Sequence, residues 1–208
     1  MTDLRKTWLI LVGITAAEAV PLIVYTVRGG ARFARYLGFG GANRGTTLGW
    51  LLALLCAAVF TANTVRRSPL IRDNFFRVDA TKLFAVLLFA PVTGVFEEMY
   101  FRKALMDGVQ ARGGGALAQI ALSAVVFGLG HGIWGLFGRS LRIAAGATVA
   151  TALLGAALAV VYLAAGRSAA PCSVAHALIN ACIEPWLILA AASRSWNGLR
   201  TAAVDASA

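Results

Sequence analysis

Two adjacent glutamates and an arginine end an apolar run in the stretch TGVFEEMYFRKAL, residues 93–105. Glu98 and Arg102 are four residues apart with the acid first, which is the better order for an ion pair on one helix face. Glu97 points about 100° away from Glu98 around a helix, so it is free for another role. A carboxylate in such apolar surroundings is a candidate general base.

The chain has only two histidines, and both also lie in apolar runs. His131 ends the motif FGLGH, four residues after Phe127, and His176 begins the motif HALIN, which places Asn180 one turn later. Polar and ionisable groups inside apolar spans are costly and by default mark function. At about 1.5 Å per residue, Glu97 and these three polar side chains reach the middle third of a membrane, on three helices. We expect them to converge.

Composition indicates that membrane helices position these groups. The chain has 208 residues, of which 59% are hydrophobic and 13% charged, whereas about a quarter are charged in a soluble domain. We predict an all-α, polytopic membrane helical bundle that forms a single domain over residues 1–208. The first apolar run continues to Val27, which favours an uncleaved helix over a signal peptide. The six predicted transmembrane helices are residues 7–27, 47–65, 81–110, 116–137, 141–166 and 170–193.

The net charge of +10 does not indicate nucleic-acid binding here, because most basic residues lie between apolar runs and would anchor loops at lipid headgroups. Six spans place both termini on one side, here called side A. Leaving out Arg102, side A has eleven of the 19 basic residues and the opposite side B has seven, so the positive-inside rule favours a cytoplasmic side A. The three cysteines form no CxxC pair and are expected to be buried as small apolar residues.

Small residues and a proline surround the polar positions. Gly128, Gly130, Gly132 and Gly135 lie close to His131 and are expected to let helices approach closely. Pro91 lies six residues before Glu97 and is expected to kink that helix. The tail after Trp196 is small and polar, and we expect it to be mobile.

Three motifs in order now suggest a family. EEMYFR is an EExxxR motif, FGLGH an FxxxH motif and HALIN an HxxxN motif. On successive apolar segments they resemble the CPBP intramembrane proteases, which include the type II CAAX prenyl endopeptidases. The resemblance covers residues 83–189, a protease-like core, and the two preceding helices match no pattern. It implies an intramembrane endopeptidase of the glutamic type, which needs no serine or cysteine nucleophile.

The resemblance also implies roles for single residues. Glu97 and His131 would bind and activate a water molecule. His176 and Asn180 would stabilise the oxyanion of the tetrahedral intermediate. The supporting pair, Glu98 and Arg102, would orient Glu97.

The residues leave two other questions open. Glu97, His131 and His176 could be three zinc ligands, but the chain lacks an HExxH motif, so we favour a mechanism without a cofactor. Glu184 extends the face of His176 by two turns and could line a cavity, and a catalytic role is less expected for Glu18.

The expected substrate is a membrane-anchored, lipidated or C-terminally tagged protein that is cut near the membrane. The expected surroundings are a lipid bilayer, with no nucleic acid, and the composition rich in Ala, Arg and Gly suggests a bacterial inner membrane. Two functions from other classes remain: a non-catalytic membrane scaffold or immunity protein, and a proton-coupled carrier with Glu and His as a relay. A carrier would need polar groups along an entire pore, whereas here they cluster at one level.

Overall fold

The computed structural model describes residues 2–193, and these form helices and connecting loops without any β-strand. Six helical spans are long and apolar enough to cross a membrane, which confirms the predicted all-α bundle. Their bounds lie within a few residues of the predicted ones. The tail after Trp196, for which mobility was expected, lies outside the described residues. The chain is an integral, multi-pass membrane protein.

The spans follow one another with short connecting helices. The first span is α1 (Asp3–Gly29), followed by α2 (Ala31–Leu37), and the second span is α3 (Thr47–Arg67), followed by α4 (Pro69–Asn74). The third span consists of α5 (Ala80–Phe84), a π-helical segment (Ala85–Phe89), α6 (Ala90–Glu98), a second π-helical segment (Met99–Met106) and α7 (Asp107–Ala111). The fourth contains α8 (Ala116–His131) and α9 (Trp134–Gly138), and the last two are α10 (Leu141–Ala164) and α11 (Ala170–Ser193).

Local sequence signals set where these helices begin. The side chains of Thr46, Asp79 and Ser140 each accept a hydrogen bond from a backbone N–H three residues later, at the starts of α3, α5 and α10. Between α7 and α8 the chain reverses at Gly113, whose φ of 83° lies in the left-handed region that glycine adopts without steric cost.

The bundle is organised around α11. In the most apolar window of this helix 56% of the residues are buried inside the protein, compared with 11% for α1. The last helix packs against α6, α3 and α1. The outer faces of the other helices carry exposed apolar side chains such as Leu9, Leu51, Val125 and Leu153, as expected for surfaces in contact with lipid tails.

Glycines allow the closest helix crossings. A Cβ atom at Gly94 on α6 would lie 2.8 Å from the carbonyl oxygen of Ser173 on α11. A Cβ at Gly128 on α8 would lie 2.6 Å from the carbonyl oxygen of Thr148 on α10. The predicted close approach beside His131 is therefore confirmed for Gly128. It is wrong for Gly130, around which a Cβ would meet no atom within 4 Å.

The irregularity expected at Pro91 takes the form of a π-helical segment. The segment Ala85–Phe89 ends directly before α6, and Pro91 occupies the first turn of α6. At that position the N–H that proline lacks is not needed by an α-helix. Short π-helical segments are rare and occur frequently at functional sites, and here two of them flank the helix that carries Glu97 and Glu98.

Replacement of Gly94 by alanine should destabilise the bundle, because the added methyl group would press against backbone of α11. The expected loss is about 1–3 kcal/mol, as for other overpacked cores. The matched control is Gly13→Ala on α1, where a Cβ meets no atom within 4 Å and the helix should be unchanged or slightly stabilised. Thermal unfolding in detergent would measure both. Equal melting temperatures for the two variants would contradict the close crossing.

Candidate active site

The predicted polar residues converge at one place between α6, α8 and α11. Glu97 Oε2 lies 3.7 Å from His176 Nε2 and 4.0 Å from His131 Nε2. This carboxylate oxygen is buried and has no hydrogen-bond partner in the described part of the chain. Glu97 and His131 keep 17% and 22% of their side-chain surface exposed, whereas His176 keeps 3%. Water can therefore reach the first two residues more easily than the third.

The FxxxH spacing fixes the orientation of His131. Its Nδ1 lies 2.9 Å from the carbonyl oxygen of Phe127, one turn earlier on α8. A carbonyl only accepts, so Nδ1 must donate, and the neutral ring then presents the lone pair of Nε2 toward Glu97. The fully buried Phe127 ring also contacts His131, with a centroid distance of 4.5 Å. Phe127 therefore positions this histidine with both its backbone and its ring.

His176 is held by the glutamate next to Glu97. Its Nδ1 lies 2.9 Å from Glu98 Oε1, and Glu98 Oε2 lies 2.8 Å from Arg102 Nε. The N–H of Arg102 Nε does not point at Glu98 Oε2, so the contact between these two atoms is an ion pair rather than a linear hydrogen bond. Glu98 and Arg102 are both fully buried. Glu98 and Arg102 were expected to orient Glu97. In the structure this pair contacts His176, through Glu98 Oε1.

The second π-helical segment and α8 provide the surroundings of Arg102. Its Nη1 donates to Ser123 Oγ at 2.9 Å, and its guanidinium lies over the ring of Phe127, 5.3 Å from the centroid. Both contacts compensate part of the cost of removing a cation from water. Sequence reasoning missed Ser123, although it lies four residues before Phe127 and eight before His131 on the same face of α8.

Asn180 is fixed by a second hydroxyl group that the sequence analysis missed. Its Nδ2 donates to Thr93 Oγ1 at 2.9 Å, and Thr93 in turn donates to the carbonyl oxygen of Phe89 at 3.0 Å. One N–H of the Asn180 amide remains available. The spacing could have indicated this contact, since Thr93 lies one turn before Glu97 on α6.

A cavity of about 840 Å³ leads from this cluster toward side A. His131, His176 and Asn180 line it at one end, and the ends of α3 and α10 line it at the other. Glu184 borders the cavity, as its position on the His176 face suggested.

Glu18 lies nearer to the site than the sequence indicated. It is on α1, within electrostatic range of Glu97, His176 and Glu184, and its Oε2 is buried without a hydrogen-bond partner among residues 2–193.

The alternative zinc site finds no support in the arrangement of the side chains. A tetrahedral zinc ion with bonds of about 2.0–2.1 Å would hold its ligand atoms roughly 3.4 Å apart, which is closer than the two separations from Glu97 Oε2. Over residues 2–193, no three His, Cys, Asp or Glu side chains are placed to hold a metal ion. The mechanism without a cofactor stays a prediction.

Replacing Arg102 alone by methionine should destabilise the protein by about 3–5 kcal/mol, because it leaves a buried carboxylate without its cation. The double variant Glu98→Gln/Arg102→Met removes both charges and should recover a large part of this loss. An exposed pair gives the control: Lys6→Met, which separates Lys6 from Asp3, should cost at most about 1 kcal/mol. Chemical denaturation in detergent would compare the three proteins. A double variant no more stable than Arg102→Met would contradict the pairing.

The comparison with known proteins points to the part of the chain that carries the site. A family model described as type II CAAX prenyl endopeptidase Rce1-like matches residues 79–182, half of the chain. No curated protein and no solved structure matches significantly. The matched range contains Glu97, His131, His176 and Asn180 together with the buried ion pair, and it begins after α4. The chain therefore belongs to the type II CAAX prenyl endopeptidase Rce1-like family, and this membership implies a protease.

Proposed function

We propose that the protein is an intramembrane endopeptidase of the glutamic type. The observation that carries the proposal is the gap between Glu97 Oε2 and the two Nε2 atoms of His131 and His176, at 3.7–4.0 Å. Two hydrogen-bond acceptors, Glu97 Oε2 and the Nε2 lone pair of His131, face each other there, and within residues 2–193 the buried carboxylate oxygen has no hydrogen-bond partner. A water molecule supplies the hydrogens that such a group of acceptors requires.

The first step is an attack by this water on the peptide carbonyl carbon. Glu97 takes one proton from the water, while the lone pair of His131 Nε2 holds the other hydrogen and orients the molecule. The water oxygen forms a bond to carbon, and the carbonyl π electrons move to the oxygen. No covalent bond forms between protein and substrate.

The developing oxyanion needs donors in a place that excludes bulk water. Asn180 has one such donor, the N–H that Thr93 leaves free. His176 is the second donor, with a ring that carries both protons before, during and after the reaction. The Glu98 carboxylate then accepts from Nδ1, and Nε2–H points into the site. The Glu98 carboxylate lies 2.9 Å from Nδ1 of this imidazolium, so the buried positive charge is paired.

The second step breaks the C–N bond. Glu97 returns its proton to the departing amine nitrogen, and the oxyanion collapses to a carboxylic acid that then ionises. The products are a new carboxyl terminus and a new amino terminus, and the protein regains its initial state.

The proposed substrate is a membrane-anchored, lipidated or C-terminally tagged protein in a bacterial inner membrane. Support comes from the location of the cavity, which lies inside the bundle and continues between α3 and α10. A peptide segment that is already anchored in the bilayer could enter there without crossing the hydrocarbon region as a solvated chain.

Replacing Glu97 by glutamine should abolish proteolysis, because the amide cannot take the proton from water. Quantitative mass spectrometry of membrane proteins from cells that express the wild type or the variant at equal levels would detect the new termini. A defined set should fall at least about a hundredfold, the lower limit of a general-base contribution. The control Asp73→Asn, which changes an exposed carboxylate to its amide, should leave the termini unchanged.

Unchanged termini in the Glu97→Gln cells would overturn the protease proposal. A phenotype that persists with this variant would favour the non-catalytic scaffold. Proton-coupled uptake by proteoliposomes that is lost in the same variant would favour the carrier.

Purified protein should keep its activity after exhaustive chelation, and added zinc should not raise it. The reason is that Glu97 and the histidines activate water directly. Hydrolysis of a substrate found by the mass-spectrometric comparison would be followed with and without chelator, and with each divalent metal added back. Loss on chelation with recovery by zinc would contradict the metal-free mechanism.

A further inference from the structure

The helices α3 and α10 touch at one end and separate toward the other. At side B a Cβ on Gly49 would lie 2.6 Å from Ala165, and Thr46 Oγ1 donates to the carbonyl oxygen of Ala164 at 2.6 Å. Toward side A, residues of both helices line the cavity instead, from Phe60 to Arg67 on α3 and from Arg142 to Leu154 on α10. The cavity therefore extends from the polar cluster to side A between these two helices.

Two arginines stand at the side A end of the cavity, and neither pairs with a carboxylate of residues 2–193. Arg67 Nε donates to Asn63 Oδ1 at 3.0 Å. The side chain of Arg142 makes no hydrogen bond or ion pair within residues 2–193. Arg67 and Arg142 are both exposed. In contrast, Arg72 and Arg77 on the same side of the bundle form ion pairs with neighbouring aspartates. The mouth of the cavity thus has an excess of positive charge that could receive an anionic group.

The walls between the arginines and the polar cluster are mostly apolar, but they include hydrogen-bonding groups. Thr64 and Thr151 donate to backbone carbonyls of their own helices, so their oxygens keep free lone pairs toward a guest. Glu184 adds a carboxylate between the two ends. A hydrocarbon tail would remove these acceptors from water without pairing them, whereas the N–H groups of a peptide would satisfy them.

The length of the cavity sets the size of the guest. The lining residues extend from Arg142 to Leu154 on α10 and from His176 to Leu187 on α11. At about 1.5 Å per residue both stretches measure roughly 17 Å. An extended peptide rises about 3.3 Å per residue, so roughly five residues fit between the reacting carbonyl and the arginines.

We infer that Arg67 and Arg142 bind a carboxylate of the substrate about five residues away from the scissile bond, with apolar residues in between. The carboxylate belongs either to the chain terminus or to an acidic side chain. The guanidinium groups recognise both in the same way, by charge-assisted hydrogen bonds. The inference rests on the proposed protease function, because it assigns the cavity to the substrate.

Peptide binding can test this without any cleavage. The probe is a fluorophore-labelled dodecapeptide of alternating alanine and leucine, made with a free carboxyl terminus, as a terminal amide, and as an amide with glutamate as its last residue. Each is titrated against Glu97→Gln protein in nanodiscs, which cannot consume it. At least one peptide that carries a carboxylate should bind about tenfold more tightly than the plain amide. Preference for the free acid identifies a chain terminus, and preference for the glutamate peptide identifies an acidic side chain.

The arginines are tested in the same background. Arg67→Gln and Arg142→Gln should each reduce the preference for the carboxylate peptide over the plain amide, and Arg142→Lys should restore part of this preference. The matched control is Arg66→Gln, which removes the same charge at the same depth from a residue that does not line the cavity. Thermal unfolding shows that each variant is folded.

A peptide with a carboxylate that binds no better than the amide, or does not bind at all, overturns the inference. An equal loss of preference in Arg66→Gln also overturns it, because the effect would then come from general surface charge. If the preference is absent while Glu97-dependent cleavage persists in cells, the carboxylate site fails and the protease proposal stands. A preference that depends on Arg67 and Arg142 without any cleavage supports the site and removes the protease.

Discussion

Arg102 is a cation with no exposed surface in the middle of an apolar bundle, and the geometry of the site depends on how its charge is balanced. An unpaired ion at this position would cost several kcal/mol, so the fold must keep Glu98 beside it. Glu98 has a second oxygen, and this oxygen binds His176 on α11. Ser123 and Phe127 on α8 complete the surroundings. The need to balance the buried charge of Arg102 therefore brings the three helices that carry the reacting groups into contact.

This arrangement explains why two neighbouring glutamates have different environments. Glu98 is fully buried between the cation of Arg102 and the imidazole of His176, which lie 2.8 and 2.9 Å from its two oxygens, so it serves as a structural anion. Glu97 keeps some exposure, and among the described residues its Oε2 has no hydrogen-bond partner. Groups at functional sites often remain unsatisfied until a ligand or water arrives. The two neighbouring glutamates therefore have different roles: Glu98 supports the structure of the site, and Glu97 takes part in the proposed chemistry.

Much of this arrangement was predictable from the sequence. Long apolar runs marked the six spans, because a membrane helix needs about twenty apolar residues. Depth along each helix placed Glu97, His131, His176 and Asn180 at one level, and the structure brings them together. The partner of Glu98 was not predictable, since depth does not say which way a side chain points around its helix. Thr93 and Ser123 also escaped notice, because hydroxyl residues are common in membrane helices and usually bond to their own backbone. Pro91 predicted an irregularity beside the first π-helical segment but not its π-helical form, and no residue of Met99–Met106 predicted the second.

The helices before the matched region contribute to the site as well. α3 forms one wall of the cavity, and α1 places Glu18 within electrostatic range of Glu97. Neither helix carries a recognisable motif, so no sequence pattern indicates what they contribute. Features that select a substrate in this protein are thus expected on α3 and α10, apart from the motifs that perform the chemistry.

The proposed mechanism requires that Glu97 and His131 hold the water that attacks the peptide bond. The most direct measurement is a structure of the wild-type protein in a lipid nanodisc at a resolution that shows ordered water. We expect one water within hydrogen-bond distance of both Glu97 Oε2 and His131 Nε2, with Glu98 still bound to His176. A metal ion at that position, or a Glu97 side chain turned away from both histidines, would contradict it.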